Sequence, residues 1–254
     1  MLLLRRALST CATALLLAAA APPVAQAVSP VVRLSGAAAL TRTSGGAVTP
    51  ARFHVVTTFS TDTPGAPLFT VQRAVIMFPD HAGTNGSRFP SCGARQIARV
   101  HGDLGRCPKG SRIGSGTVTA QALQLGVTAT GQVAIFNSAH GRDVTFNFRT
   151  VTPAVIDESI DAPITQLHGG RYGEELTIVV PHSLQEIIAG VFVGVQRLDV
   201  TLTGAIRSHG ATLSYLKARA CPTTPLHGIF DFEDWTSGQT ATATVDTRVR
   251  CTVR

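Results

Sequence analysis

Apolar residues in this chain recur at every second position through many short stretches, and that period of two fixes most of what the chain can become. Phe53, Val55, Thr57 and Phe59 share one face of an extended strand, as do Val144, Phe146 and Phe148, and again Leu176, Ile178 and Val180. Val191, Val193 and Val195 carry the pattern on. Leu198, Val200 and Leu202 resume it in the opposite phase, which predicts a turn or β-bulge near Gln196-Arg197. Further strands are expected at 31–34, 71–78, 116–122, 132–136, 213–219, 227–232 and 240–249. Turn clusters such as Asp62-Thr63-Pro64-Gly65, Thr84-Asn85-Gly86-Ser87 and His168-Gly169-Gly170 separate them. Roughly ten or more short strands joined by Gly/Pro turns predict an all-β, antiparallel β-sandwich of jelly-roll type, with a barrel as the alternative. Helix is scarce. Ile97, Val100 and Leu104 form an apolar stripe over 93–104 with Arg95 and Arg99 opposite, and a second short turn is expected at 183–188. Both are expected to cap the sheet.

The first 27 residues have the form of a secretory signal: Arg5 and Arg6, an apolar run over 7–21, and Ala25-Gln26-Ala27 as a small-x-small cleavage site. The run is shorter than the roughly 18 to 20 residues of a spanning helix and ends at Pro22-Pro23, so export with cleavage before Val28 is expected, with no transmembrane segment left afterwards. Cys11 goes with the signal. One β-sandwich domain over 28–254 follows, located in the extracellular space or the cell envelope. It holds Cys92, Cys107, Cys221 and Cys251, an even number in an oxidising destination. Four cysteines allow three connectivities, and proximity along the chain favours Cys92 with Cys107 and Cys221 with Cys251. A zinc site is the competing reading, but the spacing contains no C-x2-C pair.

Between Phe89 and Thr117 the chain reads Phe89-Pro90-Ser91-Cys92, then Cys107-Pro108-Lys109-Gly110-Ser111-Arg112-Ile113-Gly114-Ser115-Gly116-Thr117. Tyr172-Gly173 precedes Leu176 to Pro181, Cys221-Pro222 precedes an aromatic strand over 229–232, and Ser237-Gly238-Gln239-Thr240-Ala241-Thr242 leads to Cys251. As a set these motifs resemble a group of uncharacterised secreted actinobacterial β-rich proteins, and the match runs from about Phe53 to the end. The resemblance implies a two-disulfide β-domain and no established activity. The chain departs from the group at its tail, where Asp246-Thr247-Arg248-Val249-Arg250 stands before the last cysteine.

The formal net charge of +7 falls to +5 once Arg5 and Arg6 are removed, since no acidic residue precedes Val28. Arg88, Arg95, Arg99, Arg106, Lys109 and Arg112 lie close in sequence with Asp103 as the only acid among them, a candidate anion-binding patch for a cell-wall polymer; the plain alternative is a solvated face. Trp235, Tyr172 and Tyr215 are the only residues of their types, too few for a sugar or single-strand stacking platform, and nucleic acid is not expected as a partner.

No cofactor or metal is expected, because the histidines show no H-E-x-x-H and no pair at ligand spacing, and no G-x-S-x-G elbow occurs. Gly105 to Ser111 mimics a phosphate-cradling loop, but Ser111 stands where its lysine belongs and Pro108 removes a donor. Asp157, Glu158 and Asp161 are acidic enough to offer oxygens to Ca²⁺; the simpler reading is a solvated turn between Pro153 and Pro163. On a strand, Asp231, Glu233 and Trp235 share a face, the arrangement of a glycan hydrolase on a jelly roll, yet Thr236 occupies the place of that pattern's second acid. The alternative is an edge strand with Phe230 and Phe232 in the core and the acids in water. The expectation is thus a secreted, non-catalytic structural or binding module, with a hydrolase using Asp231 and Glu233 as the competitor.

Overall fold

Nearly every alternating stretch becomes a strand, and 13 of the described strands share one sheet; the stretch expected over 213–219 divides into two short strands that pair outside it, in two-stranded sheets. The structure, a computed structural model, describes residues 28–42, 48–152, 154–208, 210–218, 220–221 and 223–253; the expected signal over 1–27 lies outside the described residues. In chain order come β1 (Pro30–Arg42), β2 (Val48–Thr61), β3 (Thr70–Pro79), β4 (Ala82–Thr84), helix α1 (Ala94–Arg99), β5 (Arg112–Ala122), β6 (Val127–Ser138), β7 (Asp143–Thr150), β8 (Ile156–Gln166) and β9 (Tyr172–Val179). Helix α2 (His182–Gln185) follows, then β10 (Glu186–Ile188), β11 (Val191–Leu202), β12 (Ala205–Ser208), β13 (Ala211–Ser214), β14 (Leu216–Ala218), β15 (Leu226–Glu233), β16 (Thr240–Thr247) and β17 (Val249–Val253).

The main sheet runs β16-β15-β3-β9-β8-β7-β6-β5-β11-β2-β1-β17, with β10 beside β11. Only Arg248 separates β16 from β17, so one length of chain pairs antiparallel with β15 at one edge and parallel with β1 at the other. That shared strand rolls the sheet almost closed. The all-β architecture with two short helices and the disulfides Cys92–Cys107 and Cys221–Cys251 is as expected. Its facing layers are opposite walls of one nearly barrel-like sheet. β3 and β11 approach each other across the interior. On one side pack Ile113, Val133, Ile135, Val144 and Phe146, and on the other Val32, Val71, Phe230 and Phe232. Phe59 meets the Phe230 ring edge-on at 5.5 Å.

The Ile113-Gly114-Ser115-Gly116 run owes its form to this roll. A Cβ on Gly116 would stand 2.0 Å from the Asp199 carbonyl of β11, and one on Gly114 would stand 2.6 Å from that of Thr201. Only glycine lets β5 and β11 meet this closely at a corner. The phase change near Gln196-Arg197 is a bulge within continuous β11, where the register against β5 shifts between Val195 and Arg197.

Two local readings change. Helix α1 spans six residues, because His101 and Gly102 take left-handed backbone (φ 50° and 71°) and the Gly102 N–H returns to the Ile97 carbonyl. The stretch holding Asp157, Glu158 and Asp161 is strand β8, not a turn. Asp157 accepts from Asn147 Nδ2 at 2.8 Å, while Asp161 accepts from Thr145 Oγ1 and, at 3.0 Å, from the Ala94 N–H that opens α1. Asp161 thus holds the start of the helix on the outer wall, and Asp157 pairs with Arg149, whose guanidinium donates to the Gly102 carbonyl just past the helix end.

Candidate functional site

The inward residues of β5 to β9 and β11 are mostly medium-sized or small, and the walls they line do not meet. Val118, Ala120, Ala129, Phe146, Ile160 and Val195 are among the side chains around a cavity of about 320 Å³ whose lining is almost wholly apolar. The strand registers give it two ends. At one, β5–β6, β7–β8 and the segment from β9 to β11 turn back, with Leu184 and Ile187 reaching into the cavity. The other end is filled by Phe89 and Tyr215, whose rings meet edge-on at 5.3 Å, and by Ile113. This floor is built by the stretch 86–92 and by the segment joining β13 to β14. Neither announces itself in sequence as barrel interior.

Polar atoms are few inside. Glu174 of β9 is buried at the floor, where one carboxylate oxygen accepts from the Thr84 N–H at 3.1 Å and from Gln166 Nε2 at 3.0 Å. The Thr84 side chain stands beside the buried Tyr215 hydroxyl but outside hydrogen-bonding geometry, leaving the hydroxyl without a partner. Burial, with the Glu174 charge second, pushes the Tyr215 pKa above the ordinary phenol value. The group stays a protonated donor facing an apolar space.

The six cations of the expected anion-binding patch, Arg88, Arg95, Arg99, Arg106, Lys109 and Arg112, are all exposed along 88–112 on the outer wall. Arg106 pairs with Asp103 at 3.2 Å, and Arg112 Nε donates to the Gly114 carbonyl at 3.4 Å. The Cys92–Cys107 bond ties α1 to the turn that follows it, and Ile97 packs beneath with Ala134 and Phe136 of β6. At the end of the phosphate-loop mimic, Ser111 is fully buried and its hydroxyl donates to the Pro108 carbonyl at 2.7 Å, a bend that launches β5.

Asp231 and Glu233 project from β15 on the face opposite Phe230 and Phe232, but β15 lies between β3 and β16 and is no edge. Asp231 is engaged by Arg73 at 3.3 Å and by the Thr242 hydroxyl at 2.8 Å. Trp235 does not stand beside them, since β15 ends at Glu233 and the indole stacks on Phe192. Among the described residues, no three His, Cys, Asp or Glu side chains are grouped to hold a metal ion. Comparison of the chain with protein-family models, curated proteins and solved structures returned no match.

Proposed function

We propose that the protein is an exported, non-catalytic binding module that holds one slender apolar molecule, an acyl or isoprenoid chain, inside its rolled sheet. The observation that carries this reading is the apolar cavity of about 320 Å³, within the roughly 300 to 1,000 Å³ of small-molecule sites. At about 24 cal/mol per Å³, a void of that size costs a fold about 8 kcal/mol of packing, comparable with the roughly 5 to 15 kcal/mol that stabilises a whole domain. A fold that retains it gains from an occupant. The secretory form of 1–27 and the two disulfides support export to an oxidising compartment, as does the likeness to secreted actinobacterial proteins.

Contact with an anionic wall polymer through the exposed cations over 88–112 is the second reading. It has weaker support, because Asp103, Asp157 and Asp161 stand along the same segment. Catalysis by Asp231 and Glu233 gains no support from a carboxylate already held by Arg73 and Thr242. The test is titration of the delipidated, oxidised protein with cis-parinaric acid. Saturable fluorescence at one probe per chain with a micromolar or tighter Kd is expected. A linear, unsaturated response would refute the reading.

A further inference from the structure

We propose that the end of the roll where the cavity is covered by turns is a docking surface for a phospholipid bilayer, through which the apolar ligand enters and leaves. The ligand's part in this rests on the function proposed above; the docking does not.

Seven large apolar side chains are exposed among the described residues, and six of them lie at this one end. Leu125 belongs to the β5–β6 turn and Val127 opens β6, Val151 and Val155 belong to the β7–β8 turn, Val179 to the end of β9, and Ile188 to the segment running from β9 to β11. By strand order these are neighbouring positions of one arc, from β9 through β8, β7, β6 and β5 to β11. Val127 is exposed and also lines the cavity, which places the mouth inside the arc. The β9–β11 segment spans the same mouth: Leu184 and Ile187 point inward and Ile188 outward. Exposed apolar surface gathered in one place marks an interaction site.

Two observations choose the occupant. The six side chains project from separate points around an opening, so a flat fluid layer meets all of them, whereas a protein partner would need to plug the opening. The cavity behind that opening is lined almost wholly by apolar side chains, so the hydrocarbon of a bilayer continues its interior outward. Charge sets the orientation. On the wall beside the apolar arc, exposed Arg95 and Arg99 are offset by Asp103, Asp157 and Asp161, which stand along the same segment. The remaining arc of the same end carries Asp62, Glu233 and Asp234. A phospholipid surface is therefore held off on that side and free to approach on the apolar one, which sets a tilt.

Flotation of the full mature protein with phosphatidylcholine vesicles, with and without phosphatidylglycerol, tests this at about 0.1 M salt. Val151 and Val155 are 80% and 82% exposed, so Val151→Asp with Val155→Asp leaves the core untouched. That double variant should lose vesicle partitioning by roughly a hundredfold while its near-UV circular dichroism and parinaric acid titration stay as in the parent. Arg95→Glu with Arg99→Glu should make flotation with phosphatidylglycerol vesicles weaker than with phosphatidylcholine alone. Wild-type flotation by the aspartate variant, or no flotation of the parent, overturns the proposal. So does a dimer in sedimentation velocity that the same aspartates dissolve, since the surface would then serve self-association. Vesicle binding with a blank parinaric titration would leave docking intact and sink the ligand reading instead.

Discussion

Whether the space between the walls is a true cavity or a well-packed core can be decided by the sign of one substitution. Ala120 of β5 lines the cavity and lies opposite Ala129 of β6 on one side and Val195 of β11 on the other. Replacing it with Phe directs a ring into the interior. If the space is open, burying the ring stabilises the fold by about 2 kcal/mol. If the walls are close-packed, the same ring overfills them and costs roughly 1 to 3 kcal/mol. For a domain of this size each kcal/mol moves Tm by about 2 to 4 °C, so calorimetry of the oxidised protein should register a rise of about 4 to 8 °C. Because the ring takes ligand volume, affinity for cis-parinaric acid should fall at least about tenfold in the same sample, the counterpart of about 1.4 kcal/mol. A lowered Tm with unchanged probe binding would refute the cavity and the function built on it.

Three further outcomes follow from particular contacts. Tyr215→Phe removes a buried hydroxyl that has no partner, so urea unfolding should show stability unchanged or raised by up to about 1 kcal/mol, while affinity for 1-decanol falls about fivefold and that for decane does not. Gly116→Val sets side-chain atoms against the Asp199 carbonyl at the β5–β11 corner and should destabilise the oxidised fold by about 3 kcal/mol, read from the midpoint of urea unfolding. The hydrogen bond from Arg149 holds the Asp157 carboxyl below its ordinary range, so the pair's contribution is present above the unfolded value of about pH 4 and fades as pH drops through the folded one. Both groups are more than a third exposed, so Asp157→Asn should cost under about 1 kcal/mol at neutral pH and nothing once the parent carboxyl is protonated, in urea midpoints measured against pH.

Alternation made most strands readable because one face of each meets a continuous apolar interior. β8 escaped because Ile160, Ala162 and Ile164 are interleaved with Asp157, Ser159 and Asp161 and interrupted by Pro163, and a strand whose outer face is spent on holding a helix resembles an acidic turn. Closure of the roll was not readable at all. It depends on β17 pairing with β1, Gly36 opposite Val249, a contact between the first and last of the described strands that no local pattern encodes. The cavity was hidden for a related reason: period two says which side chains turn inward, not how far apart the walls stand. The spacing follows from Ala120, Ala122, Ala129 and Gly131, inward positions whose small size reads in sequence as weak strand signal rather than as volume withheld.

The placement of the disulfides fits a sheet that must stay rolled around an incompletely filled interior. A close-packed core holds its walls together by contact, but across a cavity those contacts are missing, so the circumference has to carry the constraint. Its weakest point is the seam at Arg248, where one strand passes from β15 to β1, and Cys251 fixes that strand to Cys221 just before β15. The bond spans 30 residues, a closure worth about 3.6 kcal/mol on the chain-entropy estimate. Cys92–Cys107 supports the opposite stretch of wall, clamping α1 over the outer face of β6, where Ala134 and Phe136 would otherwise present apolar surface to water. None of the four cysteines is among the residues that line the cavity. Both bonds therefore stiffen the wall without taking volume from the cavity, an economy that a sandwich filled by its own side chains would have no reason to make.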